Sequence, residues 1–212
     1  VAHAAPDGYT LLYYGPTLWL LPLMRSGVPY DTLRDFAPVT MAVATPAVLV
    51  VHQSVAAKSV RELIALAKAK PGALNFASGG LASPGHLSML LFMAGAGIEM
   101  SHVPYKGIAD ALPGVLSGDV PMLIAPTAPV WSLARNGKLK VLAVMGSRRS
   151  PLGANVPTMK DLGYPSNEVS VGNYVLLAPA GTPAPVVDEL NAELGETMKV
   201  PAVQGRLAEL EL

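Results

Sequence analysis

The sequence predicts an α/β fold built as two doubly wound lobes joined by two crossing strands, with the first lobe incomplete. Three observations carry that expectation. The chain has 212 residues, of which 51% are hydrophobic, enough to bury a core. Between residues 74 and 145 short β-rich runs alternate with helix-length segments. That regular stretch is framed by less complete α/β material, so the chain is expected to pass from one lobe to the other and back. The expected division is 1–48 with 172–212 for the first lobe and 49–171 for the second.

Each element has a local reason. Tyr9–Tyr14 is a β-rich run after the turn signal Pro6-Asp7-Gly8, and it ends at Gly15-Pro16, with a helix expected from Thr17. Val39–Val43 and Ala47–His52 are continuous apolar runs parted by Thr45-Pro46, the pattern of strands buried on both faces. Ser59-Val60-Arg61-Glu62 is a capping box opening a helix through Leu63, Ile64, Leu66 and Ala67 that stops at Pro71-Gly72. The alternating stretch then reads strand Leu74–Ala77, helix His86–Ala94, strand Glu99–Val103 and helix Ile108–Leu116. It continues with strand Val120–Ala125, helix Pro129–Arg135 and strand Lys140–Met145. Ser147–Tyr164, rich in Gly, Pro and Ser, is expected to be a surface excursion with one short helix near Thr158–Leu162. Val169–Ala178 returns as a strand, and Thr182-Pro183 is expected to cap an amphipathic helix through Val186, Val187, Leu190 and Leu194. The crossings are expected near Pro46–Gln53 and Val169–Ala178.

Composition narrows the function. Fifteen basic residues balance fifteen acidic ones and only 14% of residues are charged, so the broad basic surface of a nucleic-acid binder is missing. An acidic ligand must be caught locally. No cysteine is present, which excludes a disulfide framework, a thiolate metal site and a cysteine nucleophile. A mean hydropathy of +0.40 raises the question of a membrane span. The uncharged runs Phe36–Ala57 and Val169–Val187 are broken by prolines, glycines and polar residues, whereas a spanning helix needs about 20 mostly unbroken apolar residues. Buried strands and no membrane insertion are the expectation. Val1–Gly8 lacks the basic and apolar regions of a secretory signal.

The most pointed chemistry lies in Ala77-Ser78-Gly79-Gly80-Leu81-Ala82-Ser83-Pro84-Gly85-His86, a small-residue loop between a strand and a helix. Such a loop lets backbone N–H groups and the positive end of a helix dipole face a carboxylate or phosphate. It is not a P-loop, because His86-Leu87 stands where Lys and Ser/Thr are required. Nor is it a nucleophile elbow, because Leu81 lies two residues before Ser83 where a glycine is needed. Val103-Pro104-Tyr105-Lys106-Gly107 and Ala125-Pro126-Thr127-Ala128-Pro129 are two further strand-to-helix junctions. Three such junctions on one rim make a cleft wall. His3, His52, His86 and His102 include no pair at metal-ligand spacing, so no metal and no cofactor are expected. Trp19 and Trp131 read as packing residues, and Glu99, Asp110 and Asp119 as solvated carboxylates.

Taken in order, several motifs resemble the Bug family, the TctC-like periplasmic receptors of tripartite tricarboxylate transporters. They are Pro6-Asp7-Gly8-Tyr9-Thr10-Leu11, Pro29-Tyr30-Asp31 with Asp35–Val39, Ala77–His86, His102–Gly107, Gly137–Val144, Val156-Pro157-Thr158 and Ala178–Pro183. The resemblance covers essentially the whole chain. It implies a type II periplasmic-binding-protein fold, a periplasmic location, a membrane permease as partner, and capture of a small carboxylate without catalysis. The ligand could be a di- or tricarboxylate, an acidic amino acid or an aromatic acid. Carried over by position, the ligand-binding residues are Gly15, Pro16 and Thr17, then Ser78, Gly79, Gly80, Ser83 and His86, then Tyr105, Lys106, Gly107 and Thr127. The resemblance also implies a β-α-β unit before Val1 and a closing helix after Leu212, so the first lobe is expected to be truncated. Ala125 stands where the family usually has an acidic residue, and Asn173 where it usually has an aromatic one. The competing readings are a serine hydrolase using Ser83 and His86, and a remnant that no longer binds and serves as a scaffold or sensor.

Overall fold

The computed structural model describes residues 1–150, 153–164 and 172–210. The chain divides into two compact units, Val1–Thr45 with Gly172–Leu212, and Pro46–Val171.

In the first unit, β1 (Leu12–Tyr14) leads into α1 (Thr17–Met24), and β2 (Phe36–Thr45) follows. The expected strand from Tyr9 starts three residues later, because Asp7 accepts a hydrogen bond from the Tyr9 N–H and extends the turn. Pro22 inside α1 has no N–H to offer the Leu18 carbonyl one turn back. The Tyr30 hydroxyl at 2.9 Å and the Thr32 hydroxyl at 3.1 Å donate to that carbonyl instead. β2 pairs with β8 (Gly172–Pro179), which also pairs with β1, all antiparallel, in the order β1-β8-β2. β2 differs from the expected doubly buried strand: Phe36, Val39 and Thr45 are its buried residues, and Met41 is exposed. As an edge strand containing Pro38, it breaks register between Pro38 and Thr40 and again between Met41 and Val43. α6 (Ala184–Thr197) packs on β2, with the Asn191 amide donating to the Val39 carbonyl at 2.7 Å. Thr182 does not cap α6; its hydroxyl donates to the Pro179 carbonyl, and the residue at the cap position is Pro183. A further helix, α7 (Pro201–Leu210), follows. Residues 169–171 of the expected return strand lie outside the described residues.

The second unit holds a five-stranded sheet in the order β5-β4-β6-β3-β7, formed by β3 (Ala47–His52), β4 (Asn75–Ser78), β5 (Ser101–Pro104), β6 (Met122–Pro126) and β7 (Leu139–Val144). β4 runs parallel to β5 and β6, whereas β3 runs antiparallel to β6 and β7. Val48 through Val51 are wholly buried, as strands covered on both faces must be. The helices are α2 (Val60–Ala69), α3 (Pro84–Ala96), α4 (Ile108–Leu116) and α5 (Thr127–Arg135). In α2 the buried residues Val60, Leu63, Ile64 and Ala67 recur at the helical period. Half of the capping box forms as expected, with Ser59 Oγ accepting from the Glu62 N–H at 3.2 Å, while the Glu62 carboxylate reaches past Ser59 and accepts from the Lys58 N–H at 2.7 Å. Ser59→Ala should therefore lower stability by about 1 kcal/mol, read as a shift of the urea midpoint at constant slope. α3 stops at Gly97, whose φ of 60° supplies the left-handed cap.

The short helix expected at Thr158–Leu162 is a turn instead. Asp161 accepts from the Thr158 N–H at 3.1 Å, and Thr158 Oγ1 accepts from the Asp161 N–H at 3.0 Å. Thr158 also bridges to Val144 at the end of β7, and Met159 is buried. The segment is thus anchored to the sheet rather than carried over the surface. Positions 151–152 within it lie outside the described residues.

Candidate functional site

Parallel pairing of β4, β5 and β6 puts their carboxyl ends on one edge of the sheet, and each strand there passes into a helix. From β4 the chain goes through α3 to β5 on one side, then through α4 to β6 on the other, so the connections reverse across β4. Open α/β sheets bind ligands at the carboxyl edge beside such a reversal.

The loop between β4 and α3 is held by named contacts. Ser78 is wholly buried, and its hydroxyl lies 3.1 Å from both the N–H and the carbonyl of Gly80 and 2.7 Å from His102 Nε2. Gly80 has a φ of +117°, which a side chain would strain. Ala82, with φ of +60°, is the one positive-φ residue other than glycine among the described residues, and its N–H donates to His86 Nδ1 at 3.3 Å. Ser83 caps α3 by accepting from the His86 N–H at 3.3 Å, which leaves its own hydroxyl hydrogen for another acceptor.

This loop abuts the one after β5. The Tyr105 N–H donates to the Ser78 carbonyl at 3.0 Å, and a Cβ on Gly79 would lie 3.4 Å from the Ile108 nitrogen. Lys106 at the tip is exposed and makes no ion pair with the described residues. Gly107 occupies the cap position of α4 and has no side chain to satisfy the first N–H groups of that helix. The structure thus brings Ser78, Gly79, Gly80, Ser83 and His86 together with Tyr105, Lys106 and Gly107. The Tyr105 ring turns away to pack against Gly114, where a Cβ would collide with its hydroxyl. Thr127 lies on the same edge but is wholly buried, with its N–H at 3.1 Å and its hydroxyl at 3.4 Å from the Pro46 carbonyl. Gly15, Pro16 and Thr17 belong to the first unit, where the Gly15 carbonyl accepts from Leu18 and Thr17 opens α1.

Sequence reasoning missed His102. Its ring lies against both Phe76 and His86, with centroids 4.9 and 4.0 Å away and planes within 18°, and those two rings are 6.2 Å from each other. Pairing of His102 with Phe76 across the parallel strands is the signal that could have found it. Burial lowers the pKa of both imidazoles, and the neighbouring His86 lowers that of His102 further, to about 4. The hydrolase arrangement is not formed: Ser83 Oγ bonds the backbone of His86 rather than its ring, and His86 Nδ1 is taken by Ala82. Among the described residues no group of three His, Asp or Glu is gathered that could hold a metal ion, and no helix is long and apolar enough to cross a membrane.

Known proteins resemble this chain along its whole length. The profile of the family described as the tripartite tricarboxylate transporter family receptor, TctC, matches residues 1–212. BugT of Bordetella pertussis is 38% identical over 205 residues, covering 95% of this chain and 62% of BugT. An R. palustris protein solved with adipate has a TM-score of 0.91 at 32% identity, covering 99% of this chain and 70% of that one. MatC from Rhodopseudomonas palustris with bound malate has a TM-score of 0.87 at 30% identity, covering 99% and 71%. The chain spans 62% of the length of BugT and of a Pseudomonas sp. relative to which it is 36% identical. The fold is thus the type II periplasmic-binding-protein α/β architecture expected from the motifs.

Proposed function

The chain belongs to the tripartite tricarboxylate transporter family of receptors, and from that premise we propose that it captures a small carboxylate in the periplasm and presents it to the membrane permease of a tripartite tricarboxylate-type transporter. The observation that carries this reading is the convergence of the β4–α3 and β5–α4 loops on one sheet edge, with the exposed Lys106 between them. Two helix N-termini, glycine backbone and the Ser83 hydroxyl offer hydrogen-bond donors, and Lys106 offers the one formal positive charge in these two loops. A carboxylate suits such a set, because it accepts several hydrogen bonds and is stabilised by the positive dipole ends. The proposed binding residues of this unit are Ser78, Gly79, Gly80, Ser83, His86, Tyr105, Lys106, Gly107 and Thr127, with Ser78, His86 and Thr127 acting through their hold on the backbone. Gly15, Pro16 and Thr17 are proposed as the first unit's ligand segment. No covalent step is required, and no cofactor.

Calorimetry on the whole 212-residue chain against a panel of di- and tricarboxylates, acidic amino acids and aromatic acids, with adipate and malate included, tests the reading. Lys106→Ala should weaken the best binder about tenfold, the scale of one hydrogen bond to a charged group, with the unfolding midpoint unchanged. A chain that binds none of the panel would be a scaffold rather than a receptor.

A further inference from the structure

The loop after β4 rests on two imidazoles from different elements. His102 reaches Gly80 through Ser78 Oγ, 2.7 Å from His102 Nε2 and 3.1 Å from the Gly80 N–H. His86 accepts the Ala82 N–H directly through Nδ1. Ala82 occupies a left-handed conformation without being glycine, so contacts must hold it there. An Nδ1 that accepts a hydrogen bond carries no proton, which makes the bound ring neutral. The two rings are stacked at 4.0 Å, a separation at which two imidazolium charges repel.

We infer that the His86–His102 pair is a proton-sensitive support of the ligand loop: the neutral pair holds Gly79–Ser83 in the shape that receives ligand, and protonation releases it. What the loop receives rests on the carboxylate reading above. Protonation of His86 at Nδ1 turns the acceptor of the Ala82 N–H into a second donor facing it, and a charge on either ring acts across the stack on the other.

The surroundings leave the pair to titrate by burial and by each other. β4 contributes Phe76 and Ser78, neither of which ionises in this range, and β6 carries no ionisable residue. His86 is the ionisable residue of α3 and His102 that of β5. Asp110, the charged residue of α4, is exposed, as is Lys106 before it. Burial keeps both rings neutral below the ordinary histidine range, with His102 lowered to about 4. Because the unfolded chain takes up these protons first, stability is full above about pH 6.5 and declines as pH falls toward 4. Loop release accompanies the lower part of that window.

The test is NMR on the whole chain between pH 7.5 and 3.5, following the His86 and His102 rings and the Gly80 and Ala82 amides, with malate and adipate as added probes. The two amides should shift in step with the His86 and His102 rings and lose about tenfold in exchange protection relative to core amides. In the double variant His86→Gln, His102→Gln the loop amides should stop responding to pH. Affinity for whichever probe binds should fall more steeply with pH in the wild type than in the double variant, where only the probe's own carboxylates titrate. Loop amides that stay still while both rings titrate would overturn the inference, as would a wild-type affinity that ignores the titration. If neither probe binds but the amides track the rings, the carboxylate reading fails and the proton-sensitive loop stands. Should a glutamine variant not fold, the wild-type titration decides alone.

Discussion

Gly85→Ala should destabilise the second unit by about 3 kcal/mol, the upper end of what overpacking costs. Gly85 is the second residue of α3, where the helix crosses the sheet, and a Cβ there would press into the Ile124 carbonyl of β6. The obstacle is backbone, so no rotamer change relieves it. β6 cannot retreat either: it lies between β4 and β3, with Ile124 wholly buried and paired to Leu49. The added methyl must lift the start of α3 from the sheet, and the Ser83 cap and the Ala82–His86 bond sit on that same start. Urea unfolding followed through Trp131, the tryptophan of the second unit, reads the loss. Gly195→Ala is the internal comparison. It places the same methyl in α6, where nothing lies within 4 Å and φ is not positive, and should stabilise by roughly 0.5–1 kcal/mol. A midpoint unmoved by Gly85→Ala would show that the approach of α3 to β6 does not constrain the fold.

Amides of β1 and β2 should exchange at least about a hundredfold faster than those of β3 and β6 when the 212-residue chain is studied alone. The second unit has two large clusters of buried side chains, one built on Leu49, Leu63, Phe76 and Met89, the other on Val48, Val50, Leu123 and Val144. Among the described residues the first unit has one small cluster centred on Leu18, Phe36 and Leu177, and α6 buries no residue. Tyr9, Leu23 and Leu33 are 93%, 81% and 94% exposed in this unit. With so little apolar surface removed from water, opening its sheet costs correspondingly little. A hundredfold difference in protection corresponds to about 2.7 kcal/mol. Equal protection across Leu12–Thr45 and Ala47–Val144 would show the small cluster to be sufficient.

Much of the candidate site was legible because its signals are local. The glycines of the β4–α3 loop, Lys106 and Gly107 stand where strand-to-helix punctuation placed them. Tyr105 and Thr127 were read from the same punctuation, yet a phenol can turn toward solvent or toward α4, and only Gly114 on the neighbouring helix shows which it does. His102 opens one of the motifs, yet nothing local marks its ring contacts, since its partners Phe76 and His86 lie 26 and 16 residues away in sequence.

The same division runs through the fold. Local signals along the chain suffice for the helices with a period and a cap, such as α2 with Ser59 and Glu62, for the alternation from β4 to β7, and for the motifs that identify the family. Each of these depends on residues within a turn or two of one another, so hydrogen bonds and apolar period can be read along the chain. Packing of distant segments sets the antiparallel course of β3 between β6 and β7, the turn at Thr158–Gly163 bridged to β7, and the place of β2 as an edge with an exposed face. The same packing brings Tyr30 and Thr32 to the Leu18 carbonyl bared by Pro22, and stacks two histidines beneath the loop. These features pair groups far apart in sequence, and which groups meet is set by the packing that hides the most apolar surface while leaving buried polar atoms bonded, a condition no local window contains.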